Sequence, residues 1–254
     1  VLRVTGVNEI KLQAHKGVAS ECPENTMSAF RCAAVQGYDV IELDLEYTLD
    51  KKIVVLHDKF INRTARLKGG NEIGKDVNIN EITFAEAQSF DFGIWLSRKY
   101  RGEKIPLFCD VLEFAKKSGI RLKIDNKIQG FPKEILDIFF CLVKDYEDCI
   151  SITSNSVEFI AECLARLPKV CIDYDGAVTE ENLKRLSALE LGERLTVWLP
   201  YECENTSWVK IPFADEESSR LVKRYAKLGI WLLSSYESFE DAAKRLKPDI
   251  VETD

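Results

Sequence analysis

The chain holds only two histidines, His15 and His57, and each stands where an apolar run ends, after "IKLQA" and after "IVVL". Imidazole changes charge near neutral pH, so two of them facing one site could supply a general base and a general acid. Two carboxylates, Glu42 and Asp44, are separated by one residue in "VIELDL". On a strand that spacing puts both on one face and turns Ile41, Leu43 and Leu45 to the other. "RLKIDNK" repeats the pattern with Lys123, Asp125 and Lys127. Three carboxylates without sulfur suit a hard divalent cation, Mg2+ or Ca2+, completed by water and substrate oxygens. Lys16 and Lys127 add positive charge for a phosphate. The plain alternatives are solvated acids on an edge strand and an Asp125 neutralised by its lysine neighbours.

The elements that must position these residues are legible as alternation. "IKLQA", "VIELDL", "RLKID", "ISITS", "VCIDY", "LTVWLP", "IWLLS" and "DIVETD" are eight strand candidates, each separated from the next by a stretch able to form a helix. Such βα units over this length imply an α/β fold, a closed (β/α)8 TIM-type barrel over residues 1–254. An open doubly wound sheet is the alternative, but no G-x-G-x-x-G follows the first strand. His15, Gly17, Asp44, His57 and Asn126 then fall at or beyond C-terminal strand ends, the rim where barrel enzymes place their sites.

One connection breaks the alternation. Between "VIELDLEYT" and "IVVLHD" too few residues remain for a helical crossover, so an antiparallel hairpin is expected above the rim. A turn centred at Asp50 and Lys51 sets His57 across from Asp44. Residues 62–105 read as a rim insertion with one helix near 83–91. In "PENT", Asn25 or Thr26 caps a helix running to about Gln36, with Gly37 ending it, and Asn25 is placed to orient a catalytic group. For Arg63 an ordinary exposed arginine is favoured over a phosphate or headgroup contact, and Trp231 either lines the substrate pocket or packs inside the barrel.

Composition bounds the function class. The formal charge of −7 and the absence of a long basic stripe argue against nucleic acid. The most apolar stretch, "ILDIFFCLV", is too short to span a bilayer and contains Asp137, so no transmembrane segment is expected. Eight scattered cysteines form no C-x-x-C pair, and two histidines cannot build a three-histidine metal centre. The cysteines read as thiols in a reducing compartment, which points to the cytoplasm, while the start at Val1 leaves a removed leader open.

The ordered set HKG, PENT, IELDL, T-x-D, IVVLHD, KIDNK, IW and DIVETD, from His15 to Asp254, resembles the glycerophosphodiester phosphodiesterase family. The resemblance implies a TIM-type barrel that cleaves a small-molecule glycerophosphodiester to glycerol 3-phosphate and an alcohol with a divalent cation. It matches His15 and His57 to the catalytic pair, Glu42, Asp44 and Asp125 to the metal carboxylates, and Lys127 to the phosphate-binding lysine. Three departures stand out: Lys16 replaces the arginine of H-R-G, Asp125 replaces a glutamate, and "WLLS" stands where W-T-V-N is common. A point charge thus takes the place of a planar fork. Two rivals follow: a lipid phosphodiesterase of the phospholipase D or sphingomyelinase D type, and a catalytically silent metal- or phosphate-binding barrel.

Overall fold

The computed structural model describes residues 10–201, 209, 211–233 and 235–253. Among them run strands β1 Lys11–Ala14, β2 Val40–Leu43, β3 Leu45–Tyr47, β4 Ile53–Val55, β5 Arg121–Ile124, β6 Ile150–Ser154, β7 Cys171–Tyr174, β8 Leu195–Pro200, β9 Lys227–Leu233 and β10 Ile250–Thr253. Eight of these close into a parallel barrel in the order β1-β10-β9-β8-β7-β6-β5-β2, and β3 and β4 form the separate hairpin. All eight expected runs are barrel strands. β9 starts earlier than "IWLLS" because Lys227 to Gly229 pair with Thr196 to Trp198 of β8. Gly229 reads as a breaker in sequence but leaves room for a neighbour: a Cβ there would lie 2.4 Å from the Trp198 ring. Ser234 and Asp254 lie outside the described residues.

The period-two pattern decides which way each strand faces. Ile41, Leu43, Leu122, Ile124, Ile152, Ile172, Val197, Leu228, Ile230 and Val251 are buried together with the helix residues Phe30, Phe108, Phe139 and Ile160. Each such side chain contributes about 1.5–3 kcal/mol on burial. The alternate positions line the barrel interior, where bulky aliphatics are usual; here they include Gln13, Glu42, Lys123, Asp173, Trp198 and Glu252, all buried.

Helix α1, Met27–Gln36, starts where Thr26 Oγ1 accepts the Ala29 N–H and ends at Gly37 with φ 79°. Thr26, rather than Asn25, is therefore the cap. The hairpin differs from expectation by one residue: Leu45 pairs with Val55, Glu46 with Val54 and Tyr47 with Ile53. Thr48 and Lys52 close a three-residue loop in which Lys51 is left-handed at φ 59°. The turn centres on Asp50, so Leu56, not His57, lies opposite Asp44; its N–H donates to the Asp44 carbonyl. His57 sits one step beyond.

After β4 the chain packs a second buried cluster of Val54, Leu56, Ile61, Ile79, Ala87, Phe92 and Ile105. The helix expected over 83–91 is Phe84–Ala87, opened by a Thr83–Glu86 capping box. It stops early because the Asp91 carboxylate accepts the N–H groups of Gly93, Ile94 and Gly102, fixing a non-helical turn.

Candidate active site

Two chain segments converge at the C-terminal mouth of the barrel. Glu42 lies in β2, Asp44 at the joint between β2 and β3, and Asp125 just after β5. One carboxylate oxygen of each lies within 4.8 Å of the other two. Glu42 and Asp44 are 4% and 2% exposed, so their charges have almost no water to lean on. Burial, reinforced by the charge of Asp44, pushes Glu42 up to about 8. Asp125 is raised for the same two reasons. Asp44 is shifted the other way: burial opposes its charge, but Lys127 and His57 outweigh that and hold it below the ordinary carboxylate range.

The neighbours explain how the cluster is held. Lys127 Nζ donates to Asp44 Oδ1 at 2.7 Å and to the His57 carbonyl at 2.6 Å. Asn25 Nδ2 donates to Asp44 Oδ2 at 2.8 Å, while the Asp44 N–H donates back to Asn25 Oδ1. Asn25 therefore orients a carboxylate, from a left-handed backbone with φ 56°. The Lys16 N–H donates to Glu42 Oε2 at 3.0 Å. Gly17 makes that approach possible: its φ is 80°, and a Cβ would meet the Ala29 Cβ at 2.7 Å.

His15 acts electrostatically on Glu42, and His57 on Asp44. His57 Nδ1 lies 2.6 Å from Asp58 Oδ1. An ionised carboxylate only accepts, which puts the proton on Nδ1 and leaves Nε2 for proton transfer. Asp58 is in turn bound by Arg63 Nε at 2.5 Å, whose two terminal nitrogens grip Glu24 at 2.6 and 2.7 Å. Glu24 lies 3.6 Å from Lys16 Nζ. A continuous ionic chain, Lys16–Glu24–Arg63–Asp58–His57, thus borders the mouth, and Arg63 is a clamp within it rather than the ordinary exposed arginine expected. Glu24 and Asp58 were also missed, although "HD" beside a histidine and the acid in "PENT" were the available signals.

Trp231 packs on the barrel-interior cluster of Val40, Trp198 and Ile250. Behind the carboxylates, Asn126 Nδ2 donates to Asp175 Oδ2 at 2.5 Å, and burial pushes Asp175 up to about 6. A cavity of about 910 Å3 opens at the opposite mouth, edged by Lys11, Arg121 and Lys227. It is the larger hollow, but neither histidine nor any member of the carboxylate cluster lines it.

Three clustered carboxylates, of which Glu42 and Asp125 are raised by burial and by the charge of Asp44, fit a hard divalent cation, which would remove the repulsion that burial magnifies. Seven described cysteines are free thiols, and no described helix is long and apolar enough to cross a membrane.

Known proteins resemble this chain. Bacillus subtilis YqiK is 33% identical over 167 residues, 63% of this chain and 64% of that protein. A lysophospholipase D of Mus musculus is 31% identical over 207 residues, 78% of this chain and 60% of its own length. The chain therefore spans less than two thirds of the length of either relative. An Oleispira antarctica phosphodiesterase, solved with its product sn-glycerol-3-phosphate, superposes with a TM-score of 0.76 at 21% identity, over 95% of this chain and 92% of that one. A model of the glycerophosphoryl diester phosphodiesterase family matches residues 15–172, more than half of the chain, and the chain belongs to that family.

Proposed function

We propose that this protein hydrolyses glycerophosphodiesters to glycerol 3-phosphate and an alcohol, with Glu42, Asp44 and Asp125 holding a divalent cation, Mg2+ or Ca2+, and His15 and His57 exchanging the protons. The observation that carries the reading is the meeting of Glu42 and Asp44, at the end of one strand, with Asp125 at the end of its neighbour, with one histidine acting on Glu42 and the other on Asp44. When bound, the cation would neutralise charge on the phosphoryl oxygens. Lys127, already at the cluster, and Lys16 beside it add fixed positive charge for the same phosphate. A new P–O bond forms to the attacking oxygen, a glycerol hydroxyl or water, as one histidine takes its proton. The other histidine protonates the departing alcohol oxygen as the old P–O bond breaks; with water as the nucleophile this gives glycerol 3-phosphate directly, and with the glycerol hydroxyl it gives a cyclic phosphate that water then opens, the histidines exchanging roles. The free thiols support a reducing compartment.

The lysophospholipase D similarity favours a second reading, cleavage of lysophospholipids by the same residues. Hydrolysis of several glycerophosphodiesters and of a lysophospholipid, each with chelator and with restored Mg2+ or Ca2+, tests both. Cation-dependent release of glycerol 3-phosphate is expected. Chelator-insensitive cleavage would remove the metal from the reading, and no cleavage of any diester would leave a silent barrel.

A further inference from the structure

Beside His57 and Lys127 the rim opens into a cavity of about 680 Å3, walled by Tyr47, Phe60 and Phe131 and bordered by Glu46. That volume lies within the range of small-molecule pockets. Tyr47 and Phe131 meet edge to face with centroids 5.4 Å apart, and Phe60 stands at the opening, 50% exposed. Glu46 is 4% exposed, and its Oε2 has no hydrogen-bond partner among the described residues. A buried carboxylate oxygen without a donor is costly, so it calls for one from a ligand. Asp58 and Arg63 also line the cavity but are paired with each other, and Lys127 with Asp44, so among the acids Glu46 is the one left to answer a cation, which the ring quadrupoles attract once water is displaced.

We infer that this cavity binds the alcohol half of the substrate and selects alcohols bearing an ammonium group, with Glu46 as the anionic partner and Tyr47, Phe60 and Phe131 as the wall. The inference rests on the diesterase reading of the adjoining site. A primary ammonium fits better than a quaternary one, because only the former has an N–H to donate to Glu46. An acyl chain would satisfy the aromatic wall but leave the Glu46 oxygen unpartnered. Lys59, exposed on the same cavity, bears the charge that would instead favour a carboxylate-bearing headgroup such as serine.

The experiment compares kcat/KM for glycerophosphoethanolamine, glycerophosphocholine, glycerophosphoserine, glycerophosphoglycerol and a lysophospholipid. The ethanolamine diester should exceed the glycerol diester by about tenfold, as expected for a hydrogen bond to a charged group. Glu46→Gln keeps the shape and should collapse that ratio to about one; Phe60→Ala, on an exposed side chain, should reduce it. A wild-type ratio near one, a preference for the serine diester or the lysophospholipid, or a ratio untouched by Glu46→Gln would overturn the inference. Calorimetry with O-phosphoethanolamine and inorganic phosphate separates the pocket from the reaction. Tighter binding of the amine, lost in Glu46→Gln, upholds the pocket even if no diester is cleaved. Equal cleavage of all headgroups without such binding overturns the pocket and leaves the diesterase reading standing.

Discussion

Two buried polar clusters lie one above the other inside this barrel, and they are balanced differently. In the middle layer, Gln13 donates to Glu252 at 2.5 Å and Lys123 lies 3.8 Å from Glu252. Lys123 also stands 4.0 Å over the Trp198 ring, and Trp198 Nε1 donates to Asp173 at 2.7 Å. Two carboxylates there share Lys123, and each also accepts a neutral N–H, Glu252 from Gln13 and Asp173 from Trp198. At the mouth, three carboxylates share one close lysine, Lys127. The lower cluster supplies each of its carboxylates with a donor of its own, whereas the upper one carries more negative charge than Lys127, with Lys123 acting on Glu42 and Asp125 from below, can balance.

Crossed substitutions give the largest effects and would break this contrast if they failed. Lys123→Met leaves Glu252 and Asp173 without their cation and should cost about 3–5 kcal/mol of stability, read from the denaturant midpoint. Asp125→Asn should do the reverse: burial and Asp44 already raise its proton affinity, so removing its charge should raise the Tm of the chelated protein. Diester hydrolysis should fall about 10³-fold, the scale of losing metal-assisted charge stabilisation. A destabilised Asp125→Asn protein would mean that the upper cluster is as balanced as the lower.

The histidines come next. His15→Ala and His57→Ala should each lower turnover about 10²-fold. The double variant should be little worse than the poorer single one, because the pair works as a unit. Near-native turnover in either single variant would remove the paired-histidine mechanism.

Metal-free stability should show the surplus charge directly. Glu42 titrates at about 8 in the folded chain against an ordinary 4.5. Between those values the folded protein keeps a proton that the unfolded chain has released, so stability falls as pH rises through the window. The Tm gained on adding Mg2+ or Ca2+ should therefore grow from pH 5 to pH 8. A gain that does not change with pH would place the cation elsewhere.

Much of this could be read before any coordinates. Eight apolar runs interleaved with helices have few ways to close, and the alternation around Ile41 and Ile124 identifies which side chains point inward. What escaped depends on tertiary placement. The hairpin register turned on Lys51 adopting φ 59°, and "DKK" carries none of the Asn-Gly or Asp-Gly signals that announce a left-handed turn. Arg63 looks like any surface arginine until the fold brings Glu24 to it from 39 residues away. Glu46 is a strand residue whose burial follows from the rim segment packing over it.

The smallest predicted effect tests whether the rim chain merely decorates the site or holds it. Arg63 touches neither carboxylate cluster, but it grips Asp58, which fixes His57 Nδ1. Loss of that support should cost about tenfold in kcat, the lower end for residues that orient a functional group from behind. Arg63→Lys should not rescue, because one ammonium cannot span Glu24 and Asp58 as the guanidinium fork does. The pH dependence of stability supplies a readout independent of turnover. Burial raises Asp58, but its bonds to His57 and Arg63 lower it more, so its folded value lies below the ordinary one. The stability it contributes is then present above its unfolded value of about 3.9 and is lost as pH falls through the folded value. In Arg63→Ala the folded and unfolded values approach each other, so the loss of stability on acidification below about pH 4 should become shallower. An unchanged acid slope together with an unchanged kcat would show that His57 is positioned without the chain, and that the ion pairs around Arg63 belong to the surface alone.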